Sequence, residues 1–184
     1  MIRIATQQDV PQLLAVYAPY VTDTTITFEY EPPTPAEFTE RFLGITAQFP
    51  WLVWEEDGVI LGYAYAAAPF VRAAYRWCAE PSIYLAPEAQ GRGIGRALYA
   101  ALEKILQKQG YRVLYALITT ENEGSLRFHE RLGYRHLADF TRCAYKHGKE
   151  LGVTWMEKRL EFVGLPSNFP TSFPALVESD NFSL

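Results

Sequence analysis

Three groups of residues in this chain have the types and spacing to do chemistry. Gln90-Gly91-Arg92-Gly93-Ile94-Gly95-Arg96 packs three glycines and two arginines into one short stretch. Glycines in such a turn bring bare backbone N–H groups together. A helix starting there adds about half a positive charge at its N-terminus, so the turn is suited to a phosphorylated ligand. It is not a P-loop, because no Gly-Lys-Ser or Gly-Lys-Thr follows, and the spacing of Gly91, Gly93 and Gly95 is wrong for a dinucleotide fingerprint. Asn122, Ser125 and His129 stand at i, i+3 and i+7, on one face of a helix. Alone, they read first as an N-cap asparagine and a partly exposed histidine. Glu80 is a carboxylate at the head of an apolar run, and its plain reading is a solvent-facing group at a strand start.

Those residues need elements to hold them. Glu80-Pro81-Ser82-Ile83-Tyr84-Leu85 reads as a buried strand. Behind the glycine-rich turn, Ile94, Leu98, Leu102, Ile105 and Leu106 recur at helical spacing, and Gly110 supplies a left-handed stop. A first strand spans Ile2–Ala5, and Asp9 starts a helix that Pro19 distorts or ends. Thr24–Glu29 is too β-branched for a helix, and a second helix covers roughly Ala36–Gln48. Asp57-Gly58 between Trp51–Glu56 and Val59–Tyr65 predicts a hairpin. Arg112–Ile118 is a further strand, and Asn122–Leu132 a helix ending at Gly133. A last hairpin is expected to pair the stretch near Arg142–Tyr145 with Thr154–Leu160 across Gly148 and Gly152. This order suits an α/β (α+β) domain over residues 1–160, a mainly antiparallel sheet with helices on both faces. Residues 161–184 carry Pro166, Pro170 and Pro174 with Ser, Asn and Phe, a tail expected to be disordered or laid along the surface.

Bulk properties narrow the partners. A net charge of −4 with no basic run argues against nucleic acid. No apolar run reaches membrane-spanning length, and the start Met1-Ile2-Arg3-Ile4-Ala5 lacks the pattern of a signal peptide. Cys78 and Cys143 have no ligand spacing, no metal is expected, and a cytoplasmic location is. The aromatic share of 15% suggests a pocket or a subunit contact lined with rings.

The string Gln90–Ala97 resembles the Q/R-x-x-G-x-G/A signature of the GNAT superfamily of N-acetyltransferases. In that family the loop holds the pyrophosphate of acetyl-coenzyme A. The resemblance therefore implies Gln90, Gly91, Arg92, Gly93, Ile94, Gly95 and Arg96 as coenzyme-binding residues. It also implies a sheet that opens between its fourth and fifth strands. Asn122–Tyr134 looks like the family's N-x-x-[SA]-x-x-x-[YH]-x-x-x-G-[FY] segment. There the asparagine meets the pantetheine arm, so Asn122 and Ser125 join the set, and His129 falls beside the thioester sulfur.

Acetyl transfer to an amine needs a base, donors for the tetrahedral oxyanion and a proton or dipole for the departing thiolate. The backbone N–H groups of Ile83, Tyr84 and Leu85 are the expected donors. Glu80 is the expected base, directly or through a water, and His129 the candidate acid. Phe70–Leu85, Thr24-Thr25 with Phe28, Pro50–Val53 and Tyr145–Gly148 resemble one branch, the phosphinothricin N-acetyltransferases. That branch acetylates the α-amino group of glutamate-like amino acids, with methionine sulfoximine and methionine sulfone among related substrates. By that resemblance Arg72 offers a guanidinium fork to an anionic group, Tyr75 and Phe28 an apolar wall, and the chain a homodimer. Pro81 departs from the branch, where a polar residue or histidine is usual. Acetylation of another small amine or a peptide N-terminus, and a non-catalytic acetyl-CoA sensor, are the competing readings.

Overall fold

A computed structural model describes residues 1–179 and Phe182; the rest of the tail expectation, 180–181 and 183–184, lies outside the described residues. The elements are β1 (Ile2–Ile4), α1 (Val10–Thr22), α2 (Pro35–Thr46), β2 (Trp51–Glu56), β3 (Val59–Ala67), β4 (Cys78–Leu85), α3 (Ile94–Gln109), β5 (Val113–Thr119), α4 (Glu123–Arg131), β6 (Arg135–Lys146), β7 (Lys149–Arg159) and α5 (Phe173–Val177). The strands form one seven-stranded sheet in the order β1-β2-β3-β4-β5-β7-β6. Every neighbouring pair is antiparallel except β4–β5. No helix among the described residues is long and apolar enough to cross a membrane.

The two faces bury two cores. The apolar stripe of α3, with Ile94, Leu98, Leu102, Ile105 and Leu106 at 3% exposure or less, packs on Leu52, Ala64, Ala79, Leu114 and Ala116. On the opposite face, Val10, Leu13, Tyr17 and Val21 of α1 and Phe38 and Phe42 of α2 cover Trp51, Val53 and Tyr63. Helix α1 runs through Pro19 instead of ending there. Asp23 still donates to the Pro19 carbonyl at 2.9 Å, and the missing proline N–H removes a single helical hydrogen bond.

Both hairpins form, one with a different register from that expected. Asp57 (φ 49°) and Gly58 (φ 80°) make the tight turn between β2 and β3. Between β6 and β7 the turn is His147-Gly148 alone, and Tyr145 pairs with Glu150, not with the Thr154–Leu160 stretch. Gly152 lies inside β7 for a packing reason. A Cβ there would stand 2.8 Å from Thr120 Oγ1 and 3.1 Å from the Phe140 carbonyl.

The sheet opens at β4. Its pairing with β5 is limited to Cys78–Val113 and Ala79–Leu114. Backbone phase explains where it stops. The Trp77 carbonyl accepts from Arg112 and Val113, whereas Ala86 donates to Leu61 of β3. Odd-numbered residues of β4 therefore turn their backbone groups toward β5 and even-numbered ones toward β3. The next donor after Ala79 on the β5 side would belong to Pro81, which has no N–H. The ladder lapses there while the antiparallel pairing with β3 continues to Leu85.

The tail is laid against the domain. Thr171 donates to the Gln109 carbonyl (2.8 Å) and Phe173 to the Gln48 carbonyl (2.9 Å), while the Gln109 carboxamide donates to both Gln48 and Thr171. Phe173 is 5% exposed and belongs to the α3-side core. Arg76 and Arg112 lie over the Phe169 and Phe162 rings, so Arg76 serves the tail. Phe173→Ala should cost about 3 kcal/mol. Urea denaturation read by tryptophan fluorescence checks this, and an unchanged midpoint would show the tail to be unattached in solution.

Candidate active site

The site is the opening beside β4. Side chains alternate along the strand, so Pro81, Ile83 and Leu85 face α3 while Glu80, Ser82 and Tyr84 face α1. In keeping with that, a Cβ on Gly95 would meet Ile83 and Leu85 at 3.3 and 3.4 Å, and the Tyr84 ring packs on Tyr17, Tyr20 and Tyr63. The backbone phase sorts the three expected donors. The Ile83 N–H points into the opening. The Leu85 N–H points the same way and donates to the Tyr20 hydroxyl at 3.3 Å. The Tyr84 N–H belongs to the β3 ladder, opposite Tyr63, so its expected donor role is withdrawn.

Beyond β4 the chain makes a short 3₁₀ turn, Pro87–Ala89, and enters the glycine-rich loop. Gly91 and Gly93 adopt φ of 73° and 80°, left-handed values that a side chain would strain. Gly93 caps α3 with no side-chain acceptor, so the first N–H groups of a 16-residue helix are left to a ligand. Gln90 and Arg96 are exposed at its rim. Arg92 is turned away, its Nη2 on the Glu56 carboxylate at 2.7 and 2.9 Å. This pairing draws Glu56 below the usual carboxylate range and takes Arg92 out of the cradle it was expected to line.

A groove of about 370 Å³ runs from this loop along β4, lined by Tyr20, Ile26, Ile83, Leu85, Gln90, Gly95, Asn122, Gly124, Ser125 and Phe128. A deeper cavity of about 70 Å³ shares Ile26, Ile83, Asn122 and Ser125 with it and reaches Ser82, Tyr99 and His129. Asn122 caps α4, its Oδ1 accepting from Ser125 N at 3.1 Å. The cap leaves its NH₂ group with no protein partner among the described residues, on the lining of the groove. Ile26 arrives on the 24–30 loop, which is held over the opening from four elements. Thr119 of β5 donates to the Thr25 carbonyl (2.9 Å), buried Lys146 of β6 to Thr27 (2.7 Å), Tyr17 of α1 to Glu29 (2.6 Å), and Arg41 of α2 pairs with Glu29.

His129 is 3% exposed, contrary to the partly exposed reading. Its Nδ1 lies 2.8 Å from the Ser125 carbonyl, which can only accept, so Nδ1 carries the proton. Nε2 then accepts from the Tyr99 hydroxyl at 2.8 Å. Burial pushes the imidazole down to about 4, so it is neutral at pH 7. A neutral ring whose one proton faces its own helix has none to give to a thiolate. The expected acid role of His129 does not hold in this geometry. Tyr99, fully buried on α3 and within 3.3 Å of the Pro81 carbonyl, was masked in the sequence by the aliphatic stripe around it.

Glu80 is partly buried and has no hydrogen-bond or ion-pair partner among the described residues, and burial raises its pKa. Arg72 and Tyr75 lie apart from the groove on an exposed turn, Tyr75 packed on Phe70 (4.6 Å) over Trp155. Phe28 is 37% exposed on the 24–30 loop. Neither cavity is lined by these three or by Glu80. No cluster of metal-ligating side chains occurs among the described residues.

Comparison with known proteins places the chain in a family. Residues 2–155 match the family described as Acetyltransferase (GNAT) domain. A phosphinothricin N-acetyltransferase of Streptomyces viridochromogenes is 34% identical over 165 residues, covering 90% of each chain. An L-methionine sulfoximine/L-methionine sulfone acetyltransferase of Salmonella typhimurium is 34% identical over 61% of this chain and 66% of its own. The crystal structure of a GNAT superfamily phosphinothricin acetyltransferase from Sinorhizobium meliloti in complex with acetyl-CoA superimposes with a TM-score of 0.85 at 35% identity, covering 95% of both chains. The chain belongs to the GNAT acetyltransferase family.

One consequence of His129 burial is measurable. The unfolded chain takes up a proton near pH 6.5 that the folded one refuses until about pH 4, so stability should fall as pH drops between those values. Nitrogen NMR of labelled histidine should show His129 protonated at Nδ1 and untitrated from pH 5 to 8. A titration near 6.5 would place the ring in solvent.

Proposed function

We propose that this protein transfers the acetyl group of acetyl-CoA to the α-amino group of a small glutamate- or methionine-like amino acid, such as phosphinothricin, methionine sulfoximine or methionine sulfone. The observation that carries the reading is the Ile83 N–H turned into the opening of the sheet, on the strand that also holds an unpartnered Glu80. The α3 N-terminus and glycine-rich loop take the diphosphate, and the groove past Leu85, Asn122 and Ser125 takes the extended arm. The thioester carbonyl then comes within reach of Ile83 N–H, which stabilises the oxyanion as the amine nitrogen attacks. The amine must first lose a proton, and Glu80 accepts it directly or through a water. Collapse breaks the C–S bond, and the second proton of the attacking nitrogen passes to the departing sulfur, leaving the amide, the thiol form of the coenzyme and one proton on Glu80. Arg72 is assigned to the substrate's anionic group, with Tyr75 and Phe28 as its apolar wall. Their exposure, and the exposed Leu117, Leu137 and Phe140, support a homodimer that closes the substrate side. Cys78 and Cys143 are unpaired, which suits a cytoplasmic enzyme.

Glu80→Gln should lower turnover about 100-fold or more and leave acetyl-CoA binding intact. Because burial raises the Glu80 pKa, kcat/KM should climb with pH through a limb above the usual carboxylate range, and the variant should lose that limb. Free thiol release with a panel of amino-acid analogues and peptides measures turnover and its pH profile, and calorimetry measures acetyl-CoA binding. Wild-type turnover in the variant would remove Glu80 from the chemistry, and peptides outrunning amino acids would reassign the substrate. Coenzyme binding with no turnover on any amine would leave a sensor.

A further inference from the structure

The Tyr20 hydroxyl occupies the stretch of β4 edge that the coenzyme arm has to use. It accepts from the Leu85 N–H at 3.3 Å and donates to the Leu85 carbonyl at 2.6 Å. One donor and one acceptor on the same residue are what an extended amide chain engages when it lies beside a strand. The phenol satisfies both. Leu85 faces the opening, so no other strand competes for these groups.

Position and surroundings give this side chain two places to be. It stands between the coenzyme groove of about 370 Å³ and a second, mostly apolar cavity of about 490 Å³, and it lines both. The second cavity lies between α1 and the β3–β4 end of the sheet, walled by Val16, Pro19, Val59, Ile60 and Pro87. Tyr20 follows Pro19 in the last turn of α1, the turn that lacks a backbone donor. Its ring meets Tyr84 edge-on at 5.2 Å and is only partly buried, so swinging aside disrupts little packing.

We propose that Tyr20 is a gate on the coenzyme channel, holding the Leu85 edge of β4 by its hydroxyl until the pantetheine arm displaces it toward the second cavity. This rests on the acetyl-CoA reading above and adds to it a residue that sets coenzyme affinity by competing for the strand. Any bond the arm makes to Leu85 replaces one to Tyr20, so part of its binding energy is spent on opening.

Tyr20→Phe keeps the ring and removes the competing bonds. Isothermal calorimetry should find acetyl-CoA and CoA bound about fivefold more tightly by Tyr20→Phe than by the wild type, the size expected for one lost hydrogen bond. KM for acetyl-CoA should fall while kcat holds. Melting should show Tyr20→Phe less stable than wild type without ligand and equal to it at saturating acetyl-CoA, a pattern that a purely structural tyrosine would not produce. Equal affinity in the two proteins overturns the gate. Weaker binding by the variant overturns it too and makes Tyr20 a ligand of the arm. Absence of binding to either protein removes the coenzyme reading itself, and the gate with it.

Discussion

The structure turns on two rungs of parallel pairing between β4 and β5. At Cys78–Val113 and Ala79–Leu114 the two halves of the sheet are joined, and after Ala79 they part. A β-strand left unpaired on one edge exposes a column of backbone donors and acceptors, ordinarily a liability that proteins cover. Here the exposed edge belongs to an interior strand, with β3 bonded on its other side, α3 beneath and the 24–30 loop above. An extended chain of amides could pair there by main-chain hydrogen bonds, at Leu85 only in place of Tyr20. Pro81 suits its position because the missing N–H falls on the side where no ladder continues. The same residue in the next register would have broken the β3 pairing.

From that opening the other parts follow. The short 3₁₀ turn after Leu85 and the two left-handed glycines deliver the α3 N-terminus to one end of the slot, so its positive pole and the strand edge line one channel. Asn122 and Ser125 on α4 form the facing wall. Burial favours the neutral form of both Glu80 and His129, so it moves their pKa values in opposite directions. It holds Glu80 nearer its neutral form, which raises its appetite for a proton, and it strips the charge from His129. The Tyr99–His129–Ser125 chain consequently works as a rigid, neutral wall. Its hydrogen bonds fix the imidazole tautomer from both ends.

Much of this was legible in local sequence. Asp57-Gly58 announced its hairpin because few dipeptides accept two positive φ values, and α3 announced itself by an unbroken apolar stripe between glycine punctuation. The glycine-rich loop and the Asn122–His129 face were readable for the same reason: each is a local motif whose chemistry depends on residues close in the chain. Misreadings fell where distant segments decide. Gly152 looked like a turn residue and is a strand residue pressed against Thr120 and the Phe140 carbonyl. Arg92 looked like a phosphate ligand and is held by Glu56, 36 residues earlier in the chain.

What the amino-acid sequence by itself determined was the inventory and the period: which runs are strands or helices, where each must turn, and which loop leaves bare N–H groups at a helix start. Propensity, glycine placement and apolar spacing act over a few residues, so they survive without a fold. Only the tertiary structure decided which backbone groups face the opening, which tautomer His129 adopts and that Tyr20 reaches Leu85 across 65 positions. Those outcomes depend on strand phase and on burial. Both are set when segments remote in sequence compete for the same hydrogen bonds and the same space.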